Sequence, residues 1–470
     1  MKRKVYDELV KWKKNSNGKT AILIDGARRV GKSYIAEMFA KNNYKTYILI
    51  DFSKVSQSVK DLFDNYLDNL DYLFTYLSEY FGTKLYKRDT LFIFDEVQFC
   101  PRARSAIKHL VADGRYDYIE TGSLISIKKN VKDILIPSEE HTIKMYPMDF
   151  EEFMWAMGND TLMDFIRQCY KDKKPLGQLL HRKAMDYFKE YLIVGGLPQA
   201  VKEYSESRDF EKVDMIKRDI LQLYREDIRK FADEVSLKVG QIFDEIPSQL
   251  QKHEKKFNLS KIDVNARYRE YYGAFYWLED AGIVNMAYNT TAPNIGLKLN
   301  MDSSLFKCYL FDAGLLLSMA FDERGLVDEE IYKKILFDKL SFNEGMIIEN
   351  VVSQMLATNG KKLYFFSNNN RNDSSETMEI DFLIAKANTT SRHNIIPIEV
   401  KSGKNYTYSS LEKFRKKYRD YLGQSIIIHP SDLKEENNIL YLPIYMTSLL
   451  WLIKKMYLLK YKCKTIVTKT

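Results

Sequence analysis

Cysteine is scarce and scattered: Cys100, Cys169, Cys308 and Cys463 form no CxxC pair. Neither a zinc ribbon nor a disulfide framework is therefore expected. The six histidines supply no HExxH-type spacing either. Long apolar runs are missing, and no stretch approaches the roughly 20 residues that a membrane helix needs. The opening MKRKVYDELVKWKK lacks the apolar centre of a secretion signal. These absences predict a cytoplasmic protein with no membrane span. Charge of one sign is also not in great excess. Lys and Arg total 72 against 64 Asp and Glu, a net +8 over 470 residues, which leans toward a polyanionic partner but fits a solvated lysine-rich surface equally well.

What is present is length enough for several cores, at roughly 100–200 residues per domain, and an ordered alternation of strand and helix. TAILID, from Thr20 to Asp25, reads as a buried strand, and SYIAEMFAK puts Ile35, Met38 and Phe39 on one face of a helix. Between them lies GARRVGKS, whose residues Gly26, Ala27, Arg28, Arg29, Val30, Gly31, Lys32 and Ser33 have the Walker A spacing in the strand-then-helix context that a phosphate cradle requires. Glycines let backbone amides turn toward phosphates; Lys32 would reach the outer phosphates, and Ser33 would ligate Mg2+ at a helix N-terminus. TLFIFDEVQ, from Thr90 to Gln98, is an apolar strand ending in two acids. Alone it could be an acidic turn; downstream of GARRVGKS it reads as a Walker B element, with Asp95 for the metal and Glu96 to orient and polarise the attacking water. Tyr44–Phe52 and Tyr116–Glu120 are further strands, and Thr121 or Ser123 after the latter would stand at a γ-phosphate sensor position. The alternation predicts an α/β fold, a parallel sheet covered on both faces.

Residues 150–230 are helical in pattern, interrupted at Gly195, Gly196 and Pro198. VGQIFDEIPSQLQKH, ARYREYYGAFYWLEDAG and the strand-like IVNMAYN and GLKLN follow in the order helix, helix, hairpin, as in a winged helix. Arg267 and Arg269 at the start of its second helix could contact DNA. The stripe of Tyr268, Tyr271, Tyr272, Phe275, Tyr276 and Trp277 reads first as core.

Farther on, EIDFLIA (379–385) and IIPIEVK (395–401) read as neighbouring strands. Glu399 and Lys401, two apart, would share a face beside Asp381. Two carboxylates and an ammonium together could bind Mg2+ and attack a phosphodiester; the plainer reading is a cross-strand ion pair. The preceding helix offers Glu344 or Glu349 as a further metal-binding acid, with Glu349 preferred because it sits a helical turn deeper.

GARRVGKS, LFIFDEVQ and the ETGS strand end, together with YPMDFEEFMWA (146–156), YLIVGGLPQAV (191–201) and FKCYLFDAGLL (306–316), make the chain resemble prokaryotic AAA-type P-loop ATPases whose C-terminal half carries a domain of unknown function similar to PD-(D/E)xK, restriction-endonuclease-like nucleases. The resemblance implies a P-loop AAA-like ATPase domain over residues 1–150 and a helical lid over 151–232. It further implies a winged-helix-like domain over 233–325, a nuclease-like α/β domain over 326–447 and a tail over 448–470. SLLWLIKKMYLLKY in that tail would dock on the fold as an amphipathic helix. ATP and Mg2+ are the implied cofactors, DNA the implied partner, and homo-oligomers are compatible with it. The segment after the sensor strand carries lysines where many such proteins have an arginine. Arg28, Arg29, Arg102, Arg104, Arg225 and Arg229 thus all stay open as an arginine finger. Two functions follow: an ATPase that acts on DNA and cuts it at Asp381, Glu399 and Lys401, or an ATP-driven switch with a silent nuclease-like domain.

Overall fold

The computed structural model describes residues 1–122, 138–232, 235–252, 256–294, 296–321, 332, 344–369, 373, 376–386 and 393–450. They fall into two compact units. One is Met1–Tyr146 with Asp280–Gly282; the other is Pro147–Glu279 and the chain from Ile283 onward.

The first unit is built on a five-stranded sheet of β1 (Ala21–Asp25), β2 (Thr46–Asp51), β3 (Thr90–Asp95), β4 (Asp117–Gly122) and β5 (Glu140–Lys144), in the order β2-β3-β4-β1-β5. Every pairing is parallel. Every residue of β1, β3 and β4 is buried, because helices cover both faces of a parallel sheet and its strands lose the polar alternation of a half-exposed one. On one face Phe52, Phe63 and Phe94 meet edge to face, at ring separations of 5.4–5.7 Å. Losing one such ring from a packed core costs roughly 3–5 kcal/mol. The edge strand β5 buries only Ile143, which is why EHTIK carries no strand signature.

The second unit begins with five helices, Phe150–Ala156, Asp160–Asp172, Gln178–Val194, Pro198–Ser207 and Phe210–Phe231. Asp149 opens the first of them with a reciprocal capping box to Glu152. The third and fourth are separated at Gly195 and Gly196, the break read from the sequence. Gly195 has φ +79°, and a Cβ on Gly196 would lie 2.1 Å from the Met148 carbonyl. Gly196 N donates to buried Asp312 at 2.6 Å, and Asp312 also caps the helix Ala313–Ala320. Three of the recurrent motifs, around Met148, Gly196 and Asp312, are thus one packing joint.

An eight-stranded mixed sheet completes this unit. It contains β6 (Val284–Thr290), β7 (Met301–Leu310), β8 (Leu363–Asn368), β9 (Met378–Ala385), β10 (Ile395–Val400), β11 (Ser425–His429), β12 (Lys434–Glu436) and β13 (Ile439–Pro443), ordered β12-β13-β11-β10-β9-β8-β6-β7. The hairpin expected of IVNMAYN and GLKLN as the wing of a separate module is only half met: Leu297–Asn300 is a 3-10 helix, and the strand that pairs with β6 is β7. β6 also pairs in parallel with β8, so the boundary expected at 325/326 runs through a single sheet. The physical reason is burial: Val284, Met286, Ala287, Phe306, Cys308 and Leu310 are all covered, whereas a wing would keep one face in water. On the helix Tyr268–Asp280 the aromatic stripe divides. Tyr271 and Phe275 are core, Tyr272 and Tyr276 are half exposed at 52% and 50%, and Arg267 and Arg269 are exposed.

Candidate functional site

The loop between β1 and the helix Lys32–Asn43 is shaped by two glycines with different duties. Gly26 packs so closely that a Cβ would lie 2.2 Å from the Met145 carbonyl, whose own amide bonds Asp25 O at 2.7 Å. Gly31, at the helix N-cap, has φ +95°, a conformation in which a side chain is strained. Arg29 also takes positive φ, at +66°, and Arg28 and Arg29 project outward while Ala27 and Val30 are buried. The loop is tied from outside by Arg3, which donates to Val30 O at 2.9 Å and to Tyr146 O at 2.6 Å. Nothing in the spacing of GARRVGKS announces that clamp; the only hint is a basic residue ahead of an amphipathic helix.

Lys32 is 7% exposed and donates to Gly26 O and Ala27 O, both at 2.9 Å. Burial pushes its ammonium below the usual lysine range, against the pull of Glu96, Asp25 and Asp95. Ser33 Oγ donates to Asp95 Oδ1 at 2.7 Å, and Thr121 Oγ1 donates to the same oxygen. The strand order explains the meeting: β4, carrying Thr121, lies between β1 with its P-loop and β3 with its acids. Glu96 adopts φ +53° just past β3, its amide 3.4 Å from Thr121 Oγ1 and its carboxylate held by the Gln98 side-chain amide. The P-loop, the acid pair and a sensor hydroxyl therefore meet at the carboxyl ends of parallel strands, as expected of an α/β ligand site. Thr121 fills the sensor position; Ser123 lies outside the described residues. The oxygens of Ser33 and Asp95 form a hard-donor pair suited to Mg2+, and the loop amides with Lys32 suit a polyphosphate.

Among the arginines, Arg104 cannot serve as a finger. It is 4% exposed and forms a two-bond pair with equally buried Glu140 at 3.0 and 3.2 Å. Fully buried Glu120 lies beside that pair, its carboxyl pushed well above the usual range by burial and by the adjacent Glu140 carboxyl. Arg102 pairs with Asp64 at 3.3 Å and Arg225 with Asp244 at 3.1 Å; Arg229 is exposed.

In the second unit the β9–β10 register, with Ile398 opposite Phe382, brings Asp381 alongside Glu399. Asp381 Oδ2 accepts from Val400 N at 2.8 Å, and Lys401 Nζ donates to Glu399 Oε2 at 2.9 Å. The three residues expected together are together. Burial, then Asp381, pushes the Glu399 carboxyl up to about 8, and its Oε1 has no hydrogen-bond partner among the described residues. Glu349 also reaches the cluster; the side chain of Glu344 lies outside the described residues.

The sequence reading missed Glu379, Tyr309 and above all Lys307. From β7, Lys307 Nζ lies 3.0 Å from Glu379, 3.2 Å from Glu349 and 3.7 Å from Asp381, and Tyr309 OH donates to Glu349. Lys256 adds a cation 3.7 Å from Glu379. Burial pushes Lys307 down, but Glu349, Glu379 and Asp381 outweigh it and hold the ammonium above the usual lysine range. One signal was available: a lysine flanked by Phe306, Cys308 and Tyr309 in an otherwise apolar strand. Among the described residues no group of three His, Cys, Asp or Glu is arranged to hold a metal. The cluster therefore does not fit the Mg2+ that the nuclease-like pattern implies, since an ammonium already stands between the acids.

Residues 18–154 match the AAA domain family, residues 185–325 the domain of unknown function DUF8612, and residues 344–446 the domain of unknown function DUF4143. With the P-loop sheet, the first match defines a P-loop AAA-type ATPase domain in the first unit. No curated protein matches the chain. Three solved structures align at low similarity. The Walker-type ATPase PABY2304 of Pyrococcus abyssi is 13% identical, aligning over 67% of this chain and 94% of its own, with a TM-score of 0.39. The Aeropyrum pernix ORC1 protein, solved in complex with DNA, is 11% identical over 72% of this chain and 93% of its own, at 0.28. Cdc6p from Pyrobaculum aerophilum is 12% identical over 72% and 93%, at 0.23.

Proposed function

We propose that this chain is an ATP-hydrolysing switch that acts on DNA. The observation that carries the reading is the convergence of Lys32, Ser33, Asp95, Glu96 and Thr121 at the carboxyl ends of β1, β3 and β4. On nucleotide binding, Lys32 exchanges the carbonyls of Gly26 and Ala27 for phosphate oxygens, and the loop amides from Gly26 to Ser33 take the inner phosphates. Ser33 and Asp95 would hold Mg2+, which when bound neutralises charge on the phosphates. Glu96 leaves Gln98 to orient the attacking water, while Thr121 reports the γ-phosphate to β4.

DNA as the partner is supported by the net charge of +8 and by the helix Tyr268–Asp280, where Arg267, Arg269, Tyr272 and Tyr276 offer exposed cations and rings. An ATP-consuming switch belongs in the cytoplasm, and no helix among the described residues is long and apolar enough to cross a membrane. With Arg104 committed to Glu140, Arg28, Arg29, Arg102, Arg225 and Arg229 stay open as a finger, from within the chain or from a second copy, so the reading is compatible with a homo-oligomer.

The test is twofold. Glu96→Gln should retain ATP binding and lose turnover, and DNA affinity followed by anisotropy should differ between ATP-loaded and ADP-loaded protein. Equal affinity in both states, with Arg267→Glu/Arg269→Glu binding as wild type, would remove DNA from the reading. A second reading, metal-dependent cutting of DNA, takes its motive from the meeting of Asp381, Glu399 and Lys401 on adjacent strands and requires Lys307 to give way to a metal among the acids beside them. Linear, branched and single-stranded DNA incubated with Mg2+ or Mn2+ decides it: cutting that disappears in Asp381→Ala supports it, and intact DNA throughout refutes it.

A further inference from the structure

We infer that Lys307 is the resident cation of the nuclease-like core, standing where a divalent metal would otherwise bridge Glu349, Glu379 and Asp381. The inference rests on where these side chains lie and holds whether or not the chain binds DNA. Lys307 is 1% exposed, and its Nζ lies within 3.7 Å of all three acids, one from the helix Glu344–Thr358 and two from β9 of the same sheet. An ammonium has three donors and no acceptor, so three surrounding carboxylate oxygens are the complement it requires.

The balance favours the lysine over an incoming ion. The lysine stays charged in this buried place because the pull of the three acids outweighs the cost of burying its ammonium. A tethered cation also surrenders no translational freedom when it takes its place, whereas a captured ion does. A metal would have to expel this ammonium, which is 1% exposed and has the Phe365 ring under Nζ at 5.1 Å to its centre. The remaining cations complete a closed arrangement, Lys256 against Glu379 and Lys401 against Glu399. Tyr309 OH occupies a further acceptor position of Glu349. The chemistry left to the core is that of a charge-neutralised scaffold in which nuclease-type acids act as structural counter-ions.

The test is Mn2+ binding by calorimetry without nucleotide, comparing wild type with Lys307→Met. The ATP site is the same in both proteins, so the difference isolates this cluster. Wild type should show no Mn2+ site sensitive to Asp381→Asn. Lys307→Met should lose several degrees of thermal stability, gain one Mn2+ site of micromolar to submillimolar affinity, and recover its stability when Mn2+ is added. If Lys307→Met does not fold, wild type against Asp381→Asn still decides: equal Mn2+ binding supports the inference. A Mn2+ site in wild type that Asp381→Asn abolishes would overturn it. That result would leave the ATP and DNA reading untouched, since neither is measured, and failure of DNA binding would leave the Lys307 assignment standing.

Discussion

Lys32→Met is the sharpest probe of the ATP site, because the structure shows what the lysine gives up as well as what it gains. In the nucleotide-free chain its ammonium bonds two loop carbonyls at 2.9 Å while buried to 7% exposure. Bonds between a charged donor and phosphate are worth roughly 1.5–3 kcal/mol each net of water. Two of them would supply about 3–6 kcal/mol, of which the surrendered carbonyl bonds return about 1–2 kcal/mol. Lys32→Met should therefore weaken ATP by about 2–4 kcal/mol, roughly 30- to 1000-fold. Turnover should fall further, because charge developing on the transferred phosphoryl group loses its nearest cation. The nucleotide-free stability should change by no more than about 1 kcal/mol, because methionine removes the two carbonyl bonds together with the cost of burying the charge. The assays are anisotropy of a fluorescent ATP analogue and urea denaturation of the apo chain. An affinity within threefold of wild type would refute the exchange of carbonyls for phosphates. An apo stability loss of about 3 kcal/mol or more would make Lys32 a structural residue first.

Arg104→Met should destabilise the first unit by roughly 3–5 kcal/mol, the cost of leaving a buried carboxylate without its partner. Glu120→Gln should cost less than about 1 kcal/mol, because burial beside Glu140 favours the neutral carboxyl that a glutamine imitates; urea midpoints of the two variants test the contrast, and a harmless Arg104→Met would contradict it. Gly26→Ala should abolish ATP binding and cost about 3 kcal/mol, the upper end of overpacking, since its Cβ meets a backbone oxygen; wild-type binding in this variant would contradict the close approach. His429 supplies a pH dependence. Burial holds its imidazole down to about 4, with Lys434 and His181 acting in the same sense and Asp432 opposing, against an ordinary 6.5, and Tyr406 OH lies 3.0 Å from Nδ1. Because the folded value is depressed, the unfolded chain takes up the proton first, so stability is lost as pH falls from 6.5 toward 4. At about 1.36 kcal/mol per unit and discounted for partial solvent screening, the loss is about 2 kcal/mol. His429→Asn should flatten that part of the urea-midpoint profile; an unchanged slope would assign the acid sensitivity to other groups.

The ATP site was legible because its chemistry is local. A phosphate cradle needs a strand, a glycine turn and a helix start within one short segment, and GARRVGKS contains all of it; the acid pair needs only an apolar strand before it. The same locality made β9 and β10 readable, together with the meeting of Asp381, Glu399 and Lys401. Edge strand β5 was not legible, because one buried residue leaves no periodic pattern to detect. Of the hairpin β6–β7 only β6 was readable: GLKLN, taken for its partner, is a 3-10 helix, and neither strand showed its destination, since antiparallel strands look alike in a wing and at the edge of a sheet.

By itself, then, the sequence determined the residues that can touch a nucleotide and the strands with a strong apolar pattern, since short-range periodicity and turn chemistry suffice for both. Only tertiary structure decided which charges neutralise which. Arg104 was open as a finger until Glu140 was found against it, from a strand with no pattern of its own. Lys307 stands 42 positions before Glu349 and farther still from Asp381, and no local rule links an isolated strand lysine to acids so distant. Electrostatic partnership depends on distance and burial in three dimensions, and folding alone supplies those.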